Sequence, residues 1–423
     1  MRAGTLVARL VPEGAAPENL EDHLERFGPR PRPRSSELLA ALDASGLRGR
    51  GGAEFPTATK WRAVVDHAQG RDTVVVANAA ECEPASFKDR TLVGVRPHLV
   101  LDGLEHAAET VGARRAVVYM SRSHEKLRRA FQAAIVERRQ RSDCEVFIDV
   151  LAGPDRYVAG EETAIVARVS GRLAKPRVVP PRPFHSGVGG LPTLVQNVET
   201  LGHAALVARH GPDWFRSVGT RQSPGTALLT VTGGVAQPGV VEVAHDATFE
   251  SVVAWAGGTT GEPAAILVGG YFGRWIGAER VWQRGIDAES LRSLGVAVGA
   301  GVVAVLPAAA CGVAETDRVL SFLAEQSAGQ CGPCHVGLPA IADMFHRVAI
   351  GRARPAALDM LSRWCSDVVG RGACRHPDGA VQFLQSALQT FAADVRHHAR
   401  AGGCRFSDQP AMLTIPSNHR GWW

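Results

Sequence analysis

The stretch TVVVANAAECEPASFKDR, Thr73 to Arg90, sets the fold class. Its first third, Thr73 to Asn78, is a β-branched apolar run with the length and composition of a buried strand. It then turns directly into an acidic loop in which Glu81 and Glu83 stand two residues apart. In parallel α/β sheets ligands collect outside the carboxyl ends of the strands, so an acidic loop in that position reads as a candidate binding loop.

Working outward, the chain continues as a helix over HLVLDGLEHAAETVG, the strand AVVYM, the helix HEKLRRAFQAAIVERRQ and the strand EVFIDVL. Strands alternating with helices of this length predict right-handed βαβ units and a parallel sheet. Upstream, ELLAALDAS with Ser35 or Ser36 as N-cap and Gly46 at C′ predicts a short amphipathic helix. The Pro/Arg run before it, Gly28 to Ser36, reads as a stiff spacer. After about residue 222 the pattern changes. TALLTVTGG, the turn VAQPGV, VEVA, the helix FESVVAWAGG and the strand AAILVGG suggest a small α+β unit of the β-grasp kind. From Ala314 onward, AETDRVLSFLAEQS, HVGLPAIADMFHRVA, PAALDMLSRWCSDVV and AVQFLQSALQTFAADVRHHAR predict a four-helix bundle. The expected division is an N-terminal extension and linker at 1–34, then units at 35–222, 223–312 and 313–400, and an irregular tail at 401–423.

The 423 residues are 45% hydrophobic and 21% charged, ordinary for a globular protein, so several cores are expected. The net charge of +5 is spread along the chain and does not single out nucleic acid as a partner. The first residues lack the apolar core and small-residue cleavage site of a secretory signal. No apolar run of about eighteen residues is present, so no membrane span and a cytoplasmic location are expected. The cysteines are at 82, 144, 311, 331, 334, 365, 374 and 404; five of the eight follow residue 330, which points to a metal site there rather than a disulfide framework.

Four segments carry chemistry. In GLRGRGGAEFPTATKW, Gly46 to Trp61, the residues Gly49, Gly51 and Gly52 allow close backbone approach and convergent N–H groups for a phosphate, with Lys60 behind them. In NAAECEPASFKDR, Asn78, Glu81 and Glu83 offer polar atoms to ring N–H groups or ribose hydroxyls, while Cys82 reads as a packed small residue. GPDRYVAGEETA brings Tyr157, Gly160, Glu161 and Glu162, with the two acids near the positive end of a helix. GGLPTLVQNVETL brings Asn197, Glu199 and Thr200 as a polar cluster opening onto an apolar helix. Cys331-x₂-Cys334 with the distant Cys374 is a thiolate set suited to iron–sulfur or zinc.

In order and spacing these four segments resemble the FMN-binding, NADH-oxidising flavoprotein subunit of respiratory complex I and the diaphorase subunits of related hydrogenases and formate dehydrogenases. The resemblance runs from about residue 35 to 390. It implies an α/β fold with a Rossmann-like FMN domain on a parallel sheet, a β-grasp (SLBB-like) domain and a four-helix iron–sulfur domain. It implies that Gly49, Gly51, Gly52 and Lys60 hold the phosphate and ribityl chain, and that Asn78, Glu81 and Glu83 line the flavin and dinucleotide side. Tyr157, Gly160, Glu161 and Glu162 would surround the ring, with Asn197 and Thr200 at the phosphate end. The cofactors implied are FMN and an iron–sulfur cluster, the donor NAD(P)H, and the acceptor a ferredoxin-like electron-transfer protein. The ECEP spelling also resembles the flavin-family subunit of the Rnf complex.

The chain departs from this pattern at several positions. Ala328 stands where relatives have the first cysteine of the cluster motif, leaving Cys331, Cys334 and Cys374. Three thiolates suit a [3Fe–4S] cluster, or a [4Fe–4S] cluster whose fourth iron takes Ser327, His335, Cys365 or water. Glu54 and Ala58 replace glycines, Ala80 an aspartate and Gln196 an asparagine. The two phenylalanines that sandwich adenine in relatives correspond to Ala63 and Arg182, with Phe184 two residues on. These changes keep two alternatives open: an FMN protein reduced by a ferredoxin-like partner, and a non-catalytic accessory subunit.

Overall fold

In the computed structural model, which describes residues 8–11, 14, 16–141, 146–354, 356–401, 403–407, 409–416 and 422, the valine run forms strand β1 (Val74–Ala79). Cys144 lies outside the described residues, as does part of the N-terminal extension and of the tail. With β2 (Arg115–Ser121), β3 (Phe147–Gly153) and β4 (Thr193–Asn197), β1 builds a parallel sheet in the order β3-β2-β1-β4. Val74 to Ala77 are buried, as a strand covered on both faces requires. Winding runs from β1 to β3 on one side and resumes with β4 on the other, so the topological switch point lies between β1 and β4. The sequence reading missed β4. TLVQN is five residues long and runs straight into the next helix, and pairing with β1 (Asn78 opposite Asn197) decides its conformation.

Around this sheet lie α1 (Leu20–Phe27), α2 (Ser35–Ser45), α3 (Thr57–Ala68), α4 (Lys88–Val95), α5 (Pro97–Val111), α6 (Glu125–Gln140), α7 (Glu162–Val169) and α8 (Val198–Arg216). Trp61, Leu99, Leu104 and Leu201 belong to the core they share. Helix α2 ends at a left-handed Gly46 as expected, but its N-cap is Arg34, whose amide donates to Glu37 at 3.0 Å. The N-terminal segment is also no free spacer. Leu10 is fully buried, His23 bonds Glu18 and Asp102 at 3.1 Å, and Arg30 pairs with Glu105 at 2.9 Å. A proline-rich spacer would stay solvated; here its arginine finds the buried Glu105 and the exposed Glu109 on α5.

The second sheet comprises β5 (Thr226–Gly233), β6 (Gly239–Ala244), β7 (Pro263–Val268), β8 (Arg274–Gly277) and β9 (Val302–Pro307), in the order β6-β5-β9-β7-β8. Only β5 and β9 pair in parallel; α9 (Phe249–Trp255) packs on this sheet, with the short α10 (Ala278–Val281) and α11 (Ala288–Ser293) nearby. The last unit holds α12 (Gly312–Glu325), α13 (Leu338–Ala349), α14 (Ala357–Val368), α15 (His376–Thr390) and α16 (Ala392–Ala401). The fourth expected helix is therefore two, broken at Phe391, whose ring packs 5.5 Å from Trp275. The tail is irregular but fastened, because Glu315 accepts the Met412 and Leu413 amides at 2.8 and 3.0 Å.

Candidate functional site

The switch point is a cradle. The glycine loop joins α2 to α3 and is closed by the Gly49 amide donating to the Phe55 carbonyl at 2.9 Å. It is pinned to α8 by the Arg50 amide on Thr200 Oγ1 at 2.8 Å, and a Cβ on Gly51 would lie 3.3 Å from that of Asn197. Gly52 turns the loop at φ +107°, where glycine alone is comfortable. No described residue accepts a hydrogen bond from the Gly51, Gly52 or Ala53 amide, which leaves three adjacent donors for an anionic ligand. Across the cradle the Asn78 side chain donates to the Gly160 carbonyl at 3.2 Å. A Cβ at 160 would meet Cys82 Sγ at 3.1 Å, so that wall needs a glycine. Lys60 and Glu162 pair at 2.9 Å across the rim, both partly exposed.

Other singled-out residues frame the cradle from behind. Asn197 caps α8 by accepting the Glu199 amide at 2.9 Å and donates to Asp89 at 2.7 Å. Glu81 turns toward the start of α4, accepting from Ser86 Oγ at 2.8 Å, the Asp89 amide at 3.0 Å and Arg90 Nε at 2.8 Å. Glu161 caps α7 through the Thr163 and Ala164 amides at 2.9 and 3.0 Å, and burial raises its carboxyl pKa. Beneath them Lys88 Nζ bridges Asp89 and Glu199, each at 2.7 Å, beside the buried Arg50. Sequence reasoning did not single out Arg50, Lys88 or Asp89. The only signal was their charge inside otherwise small or apolar motifs.

Glu54 occupies the loop at φ +48°, a left-handed conformation that favours glycine. Two small adjoining crevices run from this loop to the second sheet, and Arg50 and Glu54 line both. Arg48 donates to the Glu54 backbone carbonyl at 3.3 Å, and Arg50 lies close enough to feel the Glu54 carboxylate. Phe184 packs edge-on against His67 at 5.1 Å and His185 at 4.4 Å. His67 in turn bonds the Ala63 carbonyl at 2.7 Å, so Phe184 lies close to the Ala63 turn of α3.

Tyr157 connects the cradle to the cysteines. Its hydroxyl donates to Glu83 at 2.8 Å, and Glu83 also accepts the Tyr271 amide at 2.8 Å. Burial pushes the Glu83 carboxyl up to about 7 despite these donors. The Tyr157 ring meets Phe322 at 6.1 Å and His376 at 5.9 Å, two residues from Cys374. The cysteine loop is docked on the same segment. The Tyr157 amide donates to Gln326 at 3.0 Å, Lys175 to the Ala328 carbonyl at 3.0 Å and Gln330 to the Pro176 carbonyl at 2.7 Å.

Cys331, Cys334 and Cys374 gather there. Burial pushes the Cys334 thiol up to about 12, with Cys331 and then Cys374 adding to it. Burial also raises Cys374, and the charges of Glu161 and Cys331 add to that. Ala328 is buried next to Ser327, whose hydroxyl donates to the Cys334 carbonyl at 3.2 Å, so residue 328 lies beside these cysteines. Of the alternative fourth ligands, Cys365 packs in the helical core, raised to about 11 by burial alone, and Ser327 Oγ donates to the Cys334 carbonyl at 3.2 Å. Three clustered thiols beside a buried alanine fit an iron–sulfur centre with three thiolate ligands.

Residues 42–205 match the Nuo51 FMN-binding domain, 228–270 the SLBB domain and 314–398 the NADH-ubiquinone oxidoreductase-F iron-sulfur binding region. The second of the NADH-quinone oxidoreductase F subunits of Rhizobium meliloti is 32% identical over 88% of this chain and 90% of its own length. The chain belongs to the family of NADH-quinone oxidoreductase F subunits. The corresponding protein of Streptomyces coelicolor is 31% identical over 89% of this chain and 86% of its own. The NAD+-reducing [NiFe]-hydrogenase in its H2-reduced state superimposes with a TM-score of 0.80 at 32% identity. That match covers 88% of this chain but 63% of the hydrogenase chain. The family comprises flavoprotein oxidoreductases of the NADH dehydrogenase type with FMN and an iron–sulfur centre, and the α/β fold expected from the sequence is the family's. Among the described residues no helix is long and apolar enough to cross a membrane.

Proposed function

We propose that this chain holds FMN in the cradle between β1 and β4 and is the subunit through which electrons enter a larger oxidoreductase. Reducing equivalents come from NAD(P)H and leave through a centre on Cys331, Cys334 and Cys374 to a ferredoxin-like subunit. The reading is carried by one observation: the segment Arg156–Glu161 touches the cradle through Asn78 and Glu83 and the cysteine loop through Gln326 and His376. FMN, when bound, supplies the exchange between a two-electron hydride donor and one-electron acceptors.

The residues have separate tasks. The Gly51, Gly52 and Ala53 amides receive the phosphate, with Gly49 closing the turn behind them and Lys60 released from Glu162 to add its charge. Asn78 and Gly160 form the floor, while Asn197 and Thr200 hold the glycine loop in place. Glu83, which accepts from the Tyr157 hydroxyl and the Tyr271 amide, fixes the wall between cradle and cysteines. Glu81 and Glu161 fix the helices that carry these groups. With Ala328 in place, Cys331, Cys334 and Cys374 would hold a [3Fe–4S] cluster or a [4Fe–4S] cluster with one non-cysteine ligand, and that centre would supply one-electron transfer. The units at 35–222, 223–312 and 313–400 act as flavin, connecting and cluster domains, in a cytoplasmic assembly.

Anaerobic purification tests this. A yellow, iron-containing protein whose flavin absorbance bleaches on adding NADH is expected. A second reading, reduction by a ferredoxin-like protein, is favoured by Phe184 being packed on His67 and His185 and by Arg182 at an adenine position. Bleaching with reduced ferredoxin but not with NADH selects it. Absence of both flavin and iron after reconstitution rejects both readings in favour of an accessory subunit.

A further inference from the structure

We infer that Cys311, His398 and Cys404 form a second metal site, one for Zn²⁺, which fastens the C-terminal tail to the helical bundle. One ligand atom from each lies within 4.8 Å of the other two. Cys311 Sγ and His398 Nε2 are 3.4 Å apart. Tetrahedral zinc with Zn–S of about 2.3 Å and Zn–N of about 2.0 Å sets its sulfur and nitrogen ligands about 3.6 Å apart. The site therefore has close to the span the ion needs.

The surroundings prepare these atoms for a cation. His398 is buried and its Nδ1 donates to the Ala349 carbonyl at 2.7 Å, which leaves the Nε2 lone pair directed toward Cys311. A histidine oriented by a backbone carbonyl through its other nitrogen is the usual outer-shell arrangement of a zinc ligand. Cys311 is the N-cap of α12 and its Sγ accepts the Ala314 amide at 3.3 Å, which fixes the sulfur at the start of the helix, facing His398. The Cys404 amide is held by Ser407 Oγ at 2.8 Å; that hydroxyl, 3.7 Å from Cys404 Sγ, or a water takes the fourth position. Two thiolates and one imidazole select zinc over the hard cations.

This site is distinct from the iron–sulfur cysteines. Cys311 starts α12 and the loop of Cys331 and Cys334 follows its other end, so the two lie about 20 Å apart at 1.5 Å per residue. The ion would join the first and last bundle helices to a tail whose Leu413 is buried and whose Trp422 lies over Arg156, 4.5 Å from its guanidinium.

The test uses the full chain with its iron–sulfur centre, assayed for zinc and iron by mass spectrometry of the elements. One zinc per chain is expected in the wild type. Cys404→Ser should bring zinc to background with iron unchanged, and a Cys331→Ser/Cys334→Ser/Cys374→Ser variant should do the reverse. Should Cys404→Ser fail to fold, wild-type protein stripped of zinc and titrated with Co²⁺ should give thiolate charge-transfer and tetrahedral d–d bands saturating at one equivalent. Wild type that carries no zinc and takes up no Co²⁺, zinc unchanged in Cys404→Ser, or a Cys311–Cys404 disulfide in the unreduced protein overturns the inference.

Discussion

Two substitutions probe single residues at the site. Glu54 holds a left-handed backbone that costs a residue with a Cβ about 1–2 kcal/mol, part of which glycine returns as unfolded-state entropy. Glu54→Gly should therefore stabilise the chain by about 1 kcal/mol in denaturant melts; an unchanged or lower midpoint contradicts this reading of the loop. Because Glu54 lines both crevices beside the glycine loop, the same variant should change KM for NADH more than kcat. At the other end of the site, Ala328 is buried beside Ser327, which bonds the Cys334 carbonyl at 3.2 Å. Ala328→Cys should add the fourth thiolate and convert a [3Fe–4S] electron paramagnetic resonance signal to that of a reduced [4Fe–4S] cluster. No rise in iron per chain would show that residue 328 does not face the centre.

At the scale of elements, α5 is held by Asp102, which meets His23 at 3.1 Å, Arg138 at 2.6 Å and Arg209 at 2.9 Å. These partners hold its carboxyl well below the usual range despite burial. Asp102→Asn leaves Arg209 without its buried counter-charge and Arg138 with Glu105 alone, and should cost about 3 kcal/mol, read from urea unfolding at pH 7. A loss under about 1 kcal/mol would place the anchoring of α1 elsewhere. None of this network was legible in the sequence, because Asp102 lies in what reads as one more helical period and its partners come from distant segments. What was legible followed local pattern: the valine run of β1, the glycine loop and the alternation that gave β2 and β3. What was not, β4, β8, β9 and the break at Phe391, depends on pairing or packing with residues far along the chain. The candidate site divides the same way. Its glycines and acids announce themselves, whereas Arg50 and Lys88 join it only once α8 and β4 bring Glu199 and Asn197 alongside.

Across the whole molecule, buried ionisable groups set the pH at which the fold is most stable. Burial lowers His98 to about 3, His106 to about 4, His245 to about 3 and His376 to about 4. Between those values and the unfolded histidine range near 6.5, the unfolded chain binds more protons, so stability falls as pH drops through that window. Burial has the opposite effect on Glu83 and Glu242, both pushed up to about 7. The folded chain then binds more protons between about 4.5 and 7, and stability falls as pH rises through that range. These four histidines, with His203, which burial also lowers, outweigh Glu83, Glu242 and Asp89, itself raised to about 6 by burial, below pH 6.5. Above it the two glutamates act against the last of the histidine titration up to about 7. Stability should therefore peak near pH 6.5, drop steeply toward pH 4.5 and decline slightly toward pH 7.5. Each histidine lowered to about 3 contributes up to ~3 kcal/mol to the acid limb by pH 4. His245→Phe, which removes one such group from the boundary between the glycine loop and the second sheet, should flatten that limb more than it alters stability at pH 7. Guanidinium melts from pH 4.5 to 8 measure this directly, and an acid limb equally steep in wild type and variant would mean that carboxylates, rather than buried imidazoles, control acid unfolding.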